Sequence, residues 1–299
     1  MGLKGGLVSS GQLEVTNDMR EIHVREITET VARLCQEANY ELCPDVRESL
    51  LGALEKEESP VGREILEQLV RNAEIAQKNK VPVCQDTGMA VVFLEIGSEV
   101  CIVGGDLTEA INQGVRKGYT DGYLRKSVVK DPLFNRINTG DNTPAVIHTE
   151  IVNGDCLKIS VLPKGFGGEN MSAIKMMVPA DGLEGVKKFI IDCVDKAGPN
   201  PCPPVVVGVG VGGTFEKAAL LAKKALLRPV GSHHSQPEVA ELEKELLSAI
   251  NDLGIGPQGL GGRVTALAVH IETYPTHIGG LPVAVNINCN AGRHREIIL

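Results

Sequence analysis

The hydrophobic repeat of this chain changes period near residue 80, and that change restricts its architecture more than any other feature. Upstream, Ile27, Val31, Leu34 and Ala38 recur at three- and four-residue steps among charges, the stripe of an amphipathic helix over 18–39. A second helix is expected over 45–57. Ser59-Pro60 reads as an N-cap followed by a first-turn proline, opening a helix whose buried face is Ile65, Leu69, Ala73 and Ala76. The first eighty residues therefore read as entirely helical. Beyond Pro82 the apolar residues fall in short β-branched runs instead.

The runs at 90–96 and 100–103, separated by Gly97-Ser98, have the pattern of paired strands. Those at 145–152 and 157–162 flank Asn153-Gly154, a strong hairpin signal. A buried-type strand is expected at 204–211, helices at 215–227 and 237–253, and strands at 266–271 and 282–287. Helices at the front, then strands mixed with helices, predict an α+β fold: a helical subdomain over 1–80 and a mixed sheet-and-helix subdomain over 81–299, integrated into one domain. Polar loops rich in Gly, Asn and Thr at 138–144 and 164–170 are where binding groups commonly sit.

Composition narrows the function classes. With 42% apolar residues the 299-residue chain can fill a core, but it has no Trp and only 3% aromatic residues, so platforms for stacking nucleic-acid bases are scarce. A net charge of −8 also opposes a polyanionic partner, yet says little about small anions, because a few basic side chains set a pocket's local field. No run of about eighteen apolar residues suggests a membrane span, and 1–13 lacks the apolar segment of a leader. The chain reads as soluble and cytoplasmic, with its eight cysteines reduced or metal-bound. Gly208, Gly210 and Gly213 satisfy a G-x-G-x-x-G pattern between a strand and a helix, but no second strand ending in an acidic residue follows to hold a ribose. Close packing of helix on strand explains the glycines without a dinucleotide.

Three cysteines stand where strands meet loops. Cys84 precedes Gln85-Asp86-Thr87-Gly88, Cys202 lies in the proline-rich run Asn200-Pro201-Cys202-Pro203-Pro204, and Cys289 follows the strand at 282–287. Cys35, Cys43, Cys101, Cys156 and Cys193 read as small hydrophobes within or beside helices and strands. Because the three loop cysteines are 118 and 87 residues apart, spacing alone leaves open whether they share a metal.

Six blocks, in order, resemble one known family: Cys84 to Gly88, Tyr123-Leu124-Arg125 with the residues that follow, Asn138 to Ala145, Pro163 to Asn170, Asn200 to Pro204, and Asn288-Cys289-Asn290. The chain resembles, over nearly its whole length, the α subunit of the two-subunit, oxygen-sensitive class I fumarases, with tartrate dehydratase and mesaconate hydratase as relatives. The resemblance implies a 4Fe-4S cluster on Cys84, Cys202 and Cys289, leaving one iron without a protein thiolate. It further implies an acid/base or proton-relay role for Asp86, substrate contacts for Gln85 and His277, and a carboxylate-binding role for Arg125. Gly167 and Gly168 would allow close backbone approach to the ligand. A separate β subunit would supply the remaining arginines, a threonine loop and a lysine, in a dimer of αβ pairs acting on a small dicarboxylate. The glycine block at 164–171 resembles fumarase more than tartrate dehydratase, so fumarate leads as substrate, with mesaconate and tartrate behind it.

Overall fold

The structure, a computed structural model, describes residues 19–299. Asp18 and the leader reading of 1–13 lie outside the described residues. The chain opens on a short strand, β1 (Arg20–His23), before α1 (Val24–Tyr40), α2 (Pro44–Lys56) and α3 (Pro60–Asn79). The expectation of an entirely helical start is thus corrected. With only Ile22 turned inward, β1 is too short to show a period, and the parallel partner that makes it a strand lies some eighty residues away. Helix starts follow their local chemistry: His23 Nδ1 accepts the Arg25 amide at 3.1 Å, and Ser59 Oγ accepts that of Gly62 at 3.2 Å with Pro60 in the first turn. On α3 the buried stripe is Leu66, Val70, Ala73 and Ala76, with Ile65 and Leu69 on its flank, one residue around from the expected face.

The next elements are β2 (Met89–Gly97), β3 (Val100–Val103), α4 (Leu107–Asp121), β4 (Val146–Val152) and β5 (Leu157–Lys164). Neither expected strand pair forms. β3 pairs with β1, while β2 lies between β4, parallel to it, and β5, antiparallel to it. Loop 153–156 therefore arches over the end of β2 rather than closing a hairpin. There Cys156, Val152 and Gly154 carbonyls accept the amides of Gly97, Ser98 and Glu99 at 2.7–2.9 Å. A Cβ at Gly97 would stand 2.3 Å from the Gly154 oxygen, so the arch requires glycine. Asn153-Gly154 makes its turn, but the strand it should pair with is displaced by an earlier one.

Then follow a four-residue helix α5 (Phe166–Glu169), β6 (Ala173–Met177), α6 (Gly182–Ala197), β7 (Val205–Gly212), α7 (Phe215–Ala225), α8 (Pro237–Asn251), β8 (Ala266–Tyr274), β9 (Leu281–Asn288) and β10 (Arg295–Ile298). The first sheet runs β10-β5-β2-β4 and the second β6-β9-β7-β8. Inward residues of α1 and α4 share one core with β2 and β5, whereas α6 and α8 cover the second sheet through Val186, Ile190, Leu246 and Ile250. The helical start is followed by a mixed region as expected, but packing crosses residue 80, because α1 has no core apart from the first sheet.

The glycine pattern has a packing cause. A Cβ at Gly208 would meet the Ala222 carbonyl at 2.2 Å, and one at Gly210 that of Ala218 at 2.1 Å, so both lie inside β7 beneath α7. Contrary to expectation, a parallel neighbour does follow in β8, and it carries Glu272. That carboxylate lies 3.5 Å from Arg228, and Gly208 and Gly210 sit within the strand rather than in a loop that could wrap a pyrophosphate.

Candidate active site

The antiparallel pairing of β7 and β9 sets Val206 opposite Asn288, so the start of one strand adjoins the end of the other. Cys202, just before β7, and Cys289, just after β9, are thereby brought to one edge. The Cys202 carbonyl accepts both the backbone and the side-chain amide of Asn290, at 3.2 and 2.7 Å. Cys202 holds a left-handed φ of +56°, unusual for a residue with a side chain and a conformation met at functional sites. Cys84 enters on the loop between α3 and β2. It packs with Cys289 against the same small apolar group of Ala73, Ala76, Val83 and Ala291.

Electrostatics agree that the three thiols are neighbours. Burial pushes the Cys202 thiol up, and the charges of Cys289 and Cys84 add to the rise. Burial also raises Cys289, where Arg293 and Lys164 oppose the rise and Cys84 adds to it. Among the described residues no group of three or more His, Cys, Asp or Glu is disposed to hold a single metal ion. A cubane cluster makes a different demand, since its thiolates bind separate corner irons and stand wider apart than ligands of one ion. The donor chemistry fits such a cluster: three soft sulfur ligands on convergent loops.

Next to Cys84, the Asp86 carboxylate is fixed from two sides. Its Oδ1 accepts the Gly88 amide at 3.0 Å, the Asx-type turn its sequence suggests, and its Oδ2 accepts the Phe166 amide at 2.9 Å. Arg125 Nη1 donates to Gln85 Oε1 at 2.7 Å, so those two candidates meet directly. Asp86 and Arg125 line a cavity of 480 Å³ together with Ser127, Phe166 and Arg136, a second cation that sequence reasoning missed. A larger cavity of 570 Å³ beside α6 includes none of the expected site residues.

Gly168 is explained by packing, since a Cβ there would stand 2.3 Å from the Ile287 carbonyl of β9, while Gly167 is exposed and a Cβ there would stand 3.3 Å from the Asn200 carbonyl. Two charged members of the same block also escaped notice. Lys164 is 1% exposed, with Nζ 2.8 Å from the Ile287 carbonyl and 3.3 Å from Glu169 Oε2; Glu169 in turn accepts from Lys223 and from Asn286. Burial lowers the Lys164 ammonium pKa, and Glu169 counters that shift. Arg293, also missed, donates through Nη2 to the Asp86 carbonyl and so connects the Cys289 loop to the Cys84 loop. Sequence could have singled it out as a basic residue four positions past a ligand candidate.

His277 is the exception. It lies in the loop between β8 and β9, exposed, with Nδ1 accepting the Gly279 amide at 3.1 Å. β9 separates it from Cys289, and eight extended residues span roughly 23 Å. Within one chain the structure does not bring His277 to the other candidates.

A cysteine with left-handed φ, two further thiols and a carboxylate fixed beside a cation-lined cavity thus lie close in the fold. The sequence pattern of the family described as "Fumarate hydratase (Fumerase)" matches residues 28–298, and this chain belongs to that family, a family of hydro-lyases. "Putative L(+)-tartrate dehydratase subunit alpha" of Methanocaldococcus jannaschii is 44% identical over 277 residues, covering 90% of this chain and 95% of the relative. "L(+)-tartrate dehydratase subunit alpha" of Escherichia coli O157:H7 and that of strain K12 are each 36% identical over 280 residues, covering 92% of this chain and 91% of the relative.

Proposed function

We propose that this chain is the α subunit of a two-subunit hydro-lyase, carrying a 4Fe-4S cluster on Cys84, Cys202 and Cys289 and acting on a small dicarboxylate. The observation that supports this reading best is the convergence of Cys84, Cys202 and Cys289 from separate loops, with Cys84 two residues before the Asp86 that lines a cavity with Arg125. Such a cluster, when bound, would supply an iron with an open coordination position, a Lewis acid for the substrate hydroxyl. Arg125 would pair a substrate carboxylate through its planar fork, held in place by Gln85. Asp86, fixed by two amides, would relay a proton to or from the substrate. Gly167, exposed beside Phe166, would admit the ligand to the backbone, and Gly168 would hold α5 against β9. His277 would reach a bound acid only from a neighbouring chain, which a dimer of αβ pairs provides. The "subunit alpha" in the relatives' names supports a separate β subunit.

On substrate, the relatives' names favour L-tartrate over the fumarate expected from the glycine block. Fumarate/L-malate is the second reading, supported by that block and by the family's description, and mesaconate the third. Anaerobic coexpression with the β subunit, followed by assays on L-tartrate, L-malate, fumarate and mesaconate, tests both partnership and substrate. Iron with inorganic sulfide and turnover of one of these acids is expected. A zinc-only protein, or an iron-sulfur protein inert to all four, would refute the proposal.

A further inference from the structure

Arg293 is 3% exposed, and its guanidinium is only partly satisfied. Nη2 donates to the Asp86 carbonyl, but Nε and Nη1 find no acceptor, and no carboxylate lies within ion-pair range among the described residues. The other deeply placed cations are not left this way: Lys164 meets Glu169 and two carbonyls, and Arg228 meets Glu243 at 2.7 Å. A buried charge with unmet donors is costly unless an anion completes its surroundings. The side chain lies between two loops that each carry a candidate ligand. Its hydrogen bond falls two residues after Cys84, its own backbone falls four residues after Cys289, and Cys289 feels its charge.

Resting on the cluster reading above, we propose that Arg293 is the counter-cation of the three-thiolate cluster, kept between the Cys84 and Cys289 loops by its bond to the Asp86 carbonyl. It is a positioning residue: Nη2 is bonded to the Asp86 carbonyl, while Nε and Nη1, without an acceptor among the described residues, would pair with the anion that three thiolates and their cluster form. Arginine suits this task better than lysine because its fork can serve both directions at once and stays charged when buried. A fixed cation beside the cluster favours its more negative, reduced form and resists the loss of the cluster.

The test uses the full chain, reconstituted anaerobically with iron and sulfide, as wild type, Arg293→Lys and Arg293→Gln. For Arg293→Gln the midpoint potential should fall, and transfer of iron to a chelator should be about tenfold faster, the scale of a lost charge-assisted hydrogen bond. Arg293→Lys, which keeps the charge without the fork, should hold its potential near that of wild type while losing iron at an intermediate rate. Without iron, Arg293→Gln should unfold at or above the wild-type temperature, because an unpaired buried charge has been removed. Equal potentials and chelation rates in wild type and Arg293→Gln overturn the proposal. So does an iron-free Arg293→Gln chain that melts lower or does not fold, which would make the residue merely structural. A wild-type chain that takes up no iron and sulfide defeats the cluster reading itself, before any variant is compared, and this inference with it.

Discussion

The two ends of the sheet built on β7 and β9 are made of the same strands and do different things. At one end the backbone is strained at Cys202, Asn290 grips the neighbouring loop, and Lys164 of the first sheet and Gly168 of α5 close on Ile287. At the other, Thr276 Oγ1 bonds the Gly213 carbonyl, Gly279 bonds His277, and Ile278 stands 91% exposed. The difference is one of convergence. Where segments from both sheets meet, side chains are buried enough for charge and strain to be held in place, and there the candidate ligands collect. An end built of one sheet's own loops offers side chains outward instead.

Removing a ligand from the convergent end should have the largest effect. Cys202→Ser is expected to lower iron and sulfide per chain at least about tenfold, since an alcohol is a poor substitute for a soft thiolate. Cys156→Ser, in the exposed loop over β2, should leave both unchanged. Equal iron content in the two variants would break the comparison. Next in size, Arg125→Ala in the assembled enzyme should reduce kcat/KM by about a hundredfold, near the 1.5–3 kcal/mol of hydrogen bonds to charged groups. A loss below about threefold would make Arg125 a surface residue.

Between the two ends, stability rather than chemistry should respond to pH. His270 on β8 is buried, and burial, then the Arg228 charge, push its imidazole down to about 4. In the unfolded chain a histidine titrates near 6.5, so between those values the unfolded state binds more protons. Stability should therefore be full above about pH 6.5 and fall with acid toward pH 4, by up to about 3 kcal/mol from this group. His270→Phe should flatten that part of the profile in denaturant titrations. A profile as steep as that of wild type would assign the acid sensitivity elsewhere.

How far the site can be read from sequence follows the same division. Cys84, Gln85, Asp86 and Arg125 belong to continuous blocks, and their local chemistry, an Asx turn and a loop before a strand, survives folding unchanged. The pairing of the first sheet is not legible in sequence because β2 enters between two strands that a good turn signal joins, and nothing in Asn153-Gly154 encodes the intruder. Lys164, Glu169 and Arg293 were hidden for a related reason. Their significance lies in burial and in missing or distant partners, and those are properties of contact rather than of sequence.

His277 offers the finest test of the contrast between ends. Because it is exposed and separated from its own chain's cysteines by the length of β9, His277→Ala should leave iron content unchanged and stability within about 0.5 kcal/mol, as at other surface positions. In the assembled enzyme kcat/KM should still fall about tenfold if the imidazole serves a neighbouring chain's site. A mixing experiment separates the two geometries. Chains bearing His277→Ala keep all three cysteines, and chains bearing Cys202→Ser keep the imidazole. Assembled together, they should recover turnover above that of either alone only when the histidine acts across chains. A His277→Ala enzyme with unchanged kcat/KM would mean that this end of the sheet stays outside the chemistry, and a loss that mixing does not restore would place the imidazole in its own chain's site.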